Sequence, residues 1–451
     1  MNTEDLDRLS QFAAELRFED LPRPVQEHTG WILADTLASI VAGSAEPEMR
    51  RLQARHTQGG AATLIGAGRQ VSAEAAAMLN GTAGTFLEMD EGNRFSRGHP
   101  AIHVLPAALA VTEVQGADAA LFLSALVVGY EVGSRIGAAA QLRSAMHPHG
   151  TWGTIGAAAA CARVLGLDTA AMRETINVST SMTTATSKRT MLEGGLVRNV
   201  YAGLSNRNGV LASDLVACGF TGEHNGLQSL FGEIVSEHFD AQTLMRDLGE
   251  DWHLMHNYFK LHSCCRYNHG TLDAIDAMAE KNPLPQAEQI ARIQVSTYHL
   301  AAELNDPSPR NTLAAKFSVP FAVATRIVHQ SSALASFTWE AVRDPRVLAL
   351  AQKVELSEDP AMSRRLPHER PARVVITDKQ GRQWTGEAGA NRGDDALPYS
   401  AAELSQKFLD LTSRVWPMGH AEQVLQATHG LCAGQLALAP WLRLLAAAPK
   451  A

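Results

Sequence analysis

Five stretches in the first half of the chain, residues 24–43, 71–87, 104–114, 118–140 and 151–166, are apolar around almost their whole circumference. A helix without a polar face is stable only when other elements cover it on every side. The segment Trp31 to Leu37, interrupted only by Asp35 and Thr36, shows the pattern best. Ala, Gly and Ser crowd these stretches, with Ala157 to Ala160 as an unbroken run, so helix axes can approach closely. Residues 4–18 add an amphipathic helix through Leu6, Leu9, Phe12, Ala13 and Leu16, ended by Leu21-Pro22-Arg23-Pro24. Such helices cannot each stand alone. The chain up to about residue 260 is therefore predicted to be an α-helical bundle.

The texture changes after about residue 270. Ala291 to Tyr298 alternates with period two, as a half-buried strand does. Ala372 to Ala390 is predicted to form two strands joined by a turn over Asp378 to Gly381. Helical patterns fill 315–330 and 338–353, and the chain is helical again from Ser400. With 451 residues, one ordinary core is not enough. The expectation is a mainly α protein: a large all-α domain of residues 1–268 plus 399–451, with a smaller α/β lid domain of 269–398 inserted.

Composition excludes several functions. A formal net charge of −8, with no basic stripe, argues against nucleic acid as a partner. Apolar runs are broken by Gly, Pro or charge before they would span a bilayer, so no membrane partner is expected. Five cysteines (Cys161, Cys218, Cys264, Cys265 and Cys432) form no disulfide framework, and Met1 to Asp7 lack the basic start of a signal peptide. Together these predict a soluble, cytoplasmic protein with reduced thiols.

Polar chemistry concentrates in four places. Leu87 to His103 carries Glu88, Asp90, Glu91, Arg94, Arg97, His99 and His103 between two apolar helices, a placement that predicts the mouth of a small-molecule cavity. His147-Pro148-His149-Gly150-Thr151 precedes an Ala-rich helix whose free N–H groups attract carboxylates. A third cluster, Lys260 to His269, holds Lys260, His262, Cys264, Cys265, Arg266, Tyr267 and His269 near the predicted domain boundary. Adjacent cysteines diverge and do not make a structural zinc hairpin. A metal-dependent hydro-lyase built on Cys264, Cys265, His262 and His269 is the alternative. The fourth cluster, Glu193 to Gly209, contributes Arg198, Tyr201 and Arg207. No phosphate-binding glycine loop and no G-x-S-x-G elbow occurs, so nucleotide cofactors have no support.

In this order and spacing the clusters resemble the MmgE/PrpD family, which includes 2-methylcitrate dehydratase, cis-aconitate decarboxylase and iminodisuccinate epimerase. The resemblance runs through Asp35 to Ala38, Leu87 to Glu91 with His99-Pro100, His147 with Gly153 to Ala159, Lys260 with Cys265 to His269, and Ala315 to Pro320. It implies a homodimer, a small polycarboxylate substrate, and a site at the junction of the two domains that uses no metal and no organic cofactor. Glu88 stands where the family has an aspartate, Arg198 where it has a lysine, and a threonine of the decarboxylase pattern is replaced near Gly92. Arginine stays protonated, so Arg198 should bind charge rather than transfer a proton.

The family's chemistry requires a base beside a carbon next to a carboxylate, and cations to hold the developing charge. By resemblance, His147 is the first base and Lys260 the second acid or base. Asp90 and His99 orient the base or protonate a leaving group. Arg198 and Arg266 clamp carboxylates, with Glu88, His149, Tyr201 and Tyr267 lining the substrate. The departures point to epimerisation of an amino-dicarboxylate, as in iminodisuccinate epimerase. A hydro-lyase of the 2-methylcitrate dehydratase type is the alternative, and an inactive polycarboxylate-binding member is a third.

Overall fold

In the computed structural model, which describes residues 3–450, the expected apolar segments are the helices Arg23–Ser44, Ala73–Thr85, Pro100–Gln115, Ala119–Ala139 and Trp152–Val164. Their starts have local causes. Asp118 accepts from the Leu121 N–H at 2.9 Å to open Ala119–Ala139, and Asp168 does the same for Ala171 to open Thr169–Thr180. Pro24 lies in the first turn of Arg23–Ser44, where a missing N–H costs nothing. Small residues set the spacing between helices. A methyl group added at Gly156 would sit 2.6 Å from the Gly129 carbonyl oxygen, so Trp152–Val164 can lie this close to Ala119–Ala139 only with glycine there. Ala119–Ala139 is long and apolar enough to cross a membrane, yet 83% of its apolar stretch is buried in the fold. Its buried Glu131–Arg135 pair, 3.1 Å apart, also belongs to a core helix.

A four-stranded mixed sheet follows, in the order Gln383–Ala388, Ala372–Asp378, Ile290–Thr297, Val354–Glu358. The first three pair antiparallel, and the last pairs parallel to Ile290–Thr297. The hairpin forms where expected, closed by the Gly381 N–H donating to the Asp378 carbonyl at 3.1 Å. Two expected helices are broken. The 315–330 stretch divides into Thr312–Lys316 and Val319–Val328, because the Ser318 hydroxyl caps the second by accepting from the Phe321 N–H at 3.0 Å. The 338–353 stretch divides at Asp344-Pro345 into Trp339–Val342 and Pro345–Ala351. The strand Val354–Glu358 was not expected; Val354 and Leu356 lie half-buried against the core while Glu355, Ser357 and Glu358 are exposed.

Leu272 and Ile275 from the helix His269–Lys281, Phe321 and Val323 from Val319–Val328, and Ile293, Val295, Val374 and Ile376 from the sheet form one apolar core. The last helices, Ala401–Thr412, Met418–Cys432 and Leu438–Leu445, turn away from it. Their Phe408 and Trp441, with Trp416 from the connection between the first two, bury in the same cluster as Ile32, Leu37 and Leu79. Lys407 fixes the return: its ammonium lies 2.5 Å from Asp35 Oδ1 and donates to the Met89 carbonyl at 2.7 Å.

Candidate active site

The polar stretch after Ala73–Thr85 does not stand at a mouth, as its charges led us to expect; it is walled in. Glu88, Asp90, Glu91, Asn93, Ser96 and His99 are all buried, and only Arg97 in this loop is exposed. The three carboxylates divide the work. Glu91 is structural: its carboxylate accepts from the Ala101 N–H at 2.9 Å and the Tyr130 hydroxyl at 3.0 Å, closing the start of Pro100–Gln115. Burial pushes its carboxyl up to about 8, so it is neutral at pH 7. Glu88 turns through the left-handed region at φ 54°, a conformation that is uncommon outside glycine. Its Oε1 pairs with Arg198 Nη1, and its Oε2 lies 3.4 Å from Lys260 Nζ. Asp90 Oδ1 is 3.9 Å from the same Nζ.

These charges settle one another. Burial works to raise the Glu88 and Asp90 carboxyls, but Arg198, Lys260 and His99 outweigh it and hold both below the usual carboxylate range. Burial works to lower the Lys260 ammonium, and Glu88 and Asp90 reverse that as well. Lys260 is therefore a cation at neutral pH, fully enclosed.

Four histidines pack around this centre. The His149 ring lies 4.6 Å from that of His147, 4.7 Å from His103 and 5.1 Å from His99. Gly153 makes room for them, since a methyl group there would come within 2.5 Å of the His103 ring. Burial first, and then Arg198, depresses His147 and His149 well below the ordinary histidine value; burial takes His103 down to about 3. All three are neutral imidazoles. Nδ1 of His147 accepts from the His149 backbone N–H at 3.1 Å, so its proton sits on Nε2. His99 is set differently: its Nδ1 faces Asp90 Oδ2 at 2.9 Å, an ion-pair contact rather than a linear hydrogen bond. With 7% of its surface exposed, His99 is the most open of the four. Tyr201 borders the group, its ring 5.8 Å from that of His147. The Thr151 hydroxyl turns back to the Pro148 carbonyl and leaves the start of Trp152–Val164 without a side-chain cap.

The sheet-bearing half of the chain closes the other side. Lys316 donates to the Ser263 hydroxyl at 2.7 Å, the Ser263 carbonyl at 3.1 Å and the Leu87 carbonyl at 3.2 Å. Burial, with no ion-pair partner among the described residues, pushes its ammonium down to about 8. The Arg198 guanidinium lies 5.3 Å over the Phe317 ring. Arg266 is not brought to Glu88 or His147. It donates to Asp394 at 2.8 Å, lies 2.9 Å from His269 Nδ1, and covers the Tyr258 ring at 4.6 Å. Tyr267 packs against Tyr298, ring centres 5.8 Å apart. The His262 ring is engaged by Ser332 and Asp273, and burial holds the Cys264 and Cys265 thiols protonated, up to about 12 and about 11. Among the described residues, no three His, Cys, Asp or Glu side chains converge as a metal set.

Several contributors were missing from the predicted site. Lys316 was visible as a lone cation in the Ala315–Pro320 motif. Glu91 and His103 lay in the first cluster, but no sequence signal separates a helix-closing carboxyl from an ion-paired one. Arg370, which lies over the Tyr258 and Tyr267 rings at 5.5 Å from each, sits in a charged stretch that looks like exposed loop.

Fold and site together define one buried cluster: two ion-paired carboxylates, four histidines and the cations Lys260 and Arg198, with Lys316 and Phe317 on one side. The chain belongs to the MmgE/PrpD family: residues 7–241 match the MmgE/PrpD N-terminal domain and residues 262–431 the MmgE/PrpD C-terminal domain. The second match includes Ala401–Thr412 and Met418–Cys432, which pack back on Arg23–Ser44, so the halves interlock in space. Cis-aconitate decarboxylase of Aspergillus terreus is 27% identical over 384 residues, 77% of this chain and 76% of the relative. The cis-aconitate decarboxylase-like protein oryM of Aspergillus oryzae is 25% identical over 441 residues, 90% of each chain. Human cis-aconitate decarboxylase is 25% identical over 382 residues, 79% of this chain and 76% of the relative.

Proposed function

We propose that this protein is an enzyme that, without a cofactor, moves a proton at the carbon next to a carboxylate of a small di- or tricarboxylate. The observation that carries the reading is the pair of oppositely set imidazoles. Nδ1 of His99 faces ionised Asp90, so when the ring carries one proton it is held there and Nε2 takes the next, while neutral His147 has an Nε2–H to give. This reverses the role given to His147 by resemblance, because the His149 N–H occupies its other nitrogen. Lys260 and Arg198 supply the positive charge that holds an enediolate-like intermediate.

The same centre serves more than one outcome. In a lyase, the bond from carbon to CO2 or to a hydroxyl breaks; in decarboxylation the electron pair stays on carbon and takes a proton from the Lys260 ammonium, or from His147 Nε2–H, whose imidazolate the Arg198 charge then holds. The names of the relatives favour this lyase outcome, with cis-aconitate as the first substrate to try. Epimerisation of an amino-dicarboxylate is the second reading. It rests on the departures named above: Glu88 and Arg198, paired with each other, stand where the family has an aspartate and a lysine, and a threonine of the decarboxylase pattern is replaced near Gly92. Residues 269–398 serve in this account as a lid over the helical domain of 1–268 and 399–451, and the working unit is a homodimer. Lid movement admits substrate, because the centre is enclosed.

Cis-aconitate, citrate, 2-methylcitrate and iminodisuccinate, each incubated with the protein in heavy water and followed by NMR, separate the outcomes. The expected result is a deuterated product with loss of CO2 or water. Deuterium entering an otherwise unchanged substrate identifies the epimerase. Binding with neither product nor exchange overturns the catalytic reading.

A further inference from the structure

Arg370 is a guanidinium with 5% of its surface exposed and no ion pair among the described residues. Its one polar contact there is Nη2 donating to the Arg94 carbonyl at 3.4 Å, and Nη1 has no partner. Tyr258 and Tyr267 present their rings to it at 5.5 Å each, which offsets part of the cost of enclosing the charge. Two more buried groups of this neighbourhood lack partners: Nε of Arg266 and the hydroxyl of Tyr298. Asp394 makes its ion pair with Arg266, at 2.8 Å, and acts on Arg370 only from farther away. Arg370 thus keeps unused hydrogen-bond donors and has no carboxylate in ion-pair contact among the described residues. A buried charge is kept this way only where something else supplies the counter-charge. The site is not remote from the acid–base centre. Tyr258, which both arginines cover, has its ring 6.3 Å from that of His99.

We propose that Arg370, with the Arg266 Nε–H and the Tyr298 hydroxyl, forms the subsite for a second carboxylate of the substrate, the one away from the reacting carbon. The inference rests on the polycarboxylate reading above and deepens it. Arg266, already neutralised, positions Tyr258 and lends one N–H, while Arg370 provides the charge. A planar guanidinium offers a carboxylate two parallel N–H donors, which selects a substrate with a carboxylate at that distance.

Tricarballylate, an unreactive tricarboxylate, is the probe, titrated calorimetrically into the wild-type protein, Arg370→Gln and Arg370→Lys. Loss of a charge-assisted contact should weaken binding about 10- to 100-fold in Arg370→Gln. Arg370→Lys, which keeps the charge but loses the fork, should fall between. Without ligand, Arg370→Gln should melt no lower than wild type, because a buried charge without an ion-pair contact is gone; a purely structural arginine would lower the Tm. The subsite is overturned if wild type does not bind tricarballylate, or if both variants bind it as tightly as wild type. If Arg370→Gln does not fold, unaltered binding by Arg370→Lys suffices to overturn it. Binding that depends on Arg370 in a protein that exchanges no substrate proton keeps the subsite and removes the catalytic reading. Proton exchange with an unchanged KM in both variants does the opposite.

Discussion

Replacing Asp90 by Asn removes one negative charge and almost no volume from the centre. In the structure that charge lies 2.9 Å from His99 Nδ1 and 3.9 Å from Lys260 Nζ. When His99 takes a proton, its ring becomes a cation beside the carboxylate. A charge-assisted contact of this kind contributes about 1.5–3 kcal/mol, or roughly one to two decades in rate. An amide can also turn its NH2 toward His99 and admit the wrong tautomer, which in a comparable Asp–His pairing costs about 10⁴-fold. Asp90→Asn should therefore slow turnover by about 10²–10⁴-fold. The fold should survive, since Glu88 still balances Lys260 at 3.4 Å. The assay is initial-rate NMR on whichever polycarboxylate wild type converts, with circular dichroism as the control for folding. A variant that is folded and within threefold of the wild-type rate would show that His99 is not backed by Asp90 during the reaction.

Lys260→Met leaves Glu88 and Asp90 enclosed with less compensation and should destabilise the protein by about 3–5 kcal/mol, as removing one partner of a buried pair does; a urea unfolding change below about 1 kcal/mol would refute that network. Glu91 has a raised carboxyl, about 8 when folded, so stability present below the ordinary glutamate value near 4.5 is lost as pH rises toward 8. Glu91→Gln should remove that slope and gain on wild type by roughly a few kcal/mol between those pH values; parallel Tm curves from pH 5 to 8 would contradict it. Arg198→Lys should weaken substrate binding about tenfold and leave kcat nearly unchanged, because the guanidinium binds charge and transfers no proton. An unchanged KM with a collapsed kcat would make position 198 part of the proton path.

Hydrophobic periodicity made the bundle legible. Arg23–Ser44 and Trp152–Val164 could be read because no face of either is polar, and the hairpin because Gly381 closes a turn between alternating strands. Val354–Glu358 escaped because its apolar alternation is only two residues long, Val354 and Leu356, and follows directly on a helical pattern. The acidic loop announced itself through charge density next to apolar helices. Its burial did not, because Lys407, which supports it from behind, is more than 300 residues away in sequence. The histidine tautomers were illegible for the same reason: each depends on one neighbouring atom, the His149 N–H or the Asp90 carboxylate. Arg370 was hidden in a run of charges, and the rings of Tyr258 and Tyr267 that cover it come from a segment about 100 residues earlier in the chain.

The most direct test of the acid–base centre is deuterium incorporation at the carbon beside the carboxylate, measured for His147→Ala against wild type. The Nε2–H of His147 is the proton the account delivers, so its loss should slow incorporation by at least about 10²-fold while leaving the fold intact. His149→Ala should cost less, because its backbone N–H still orients the His147 ring. Incorporation by His147→Ala at the wild-type rate would contradict the placement of the proton donor and, with it, the central claim.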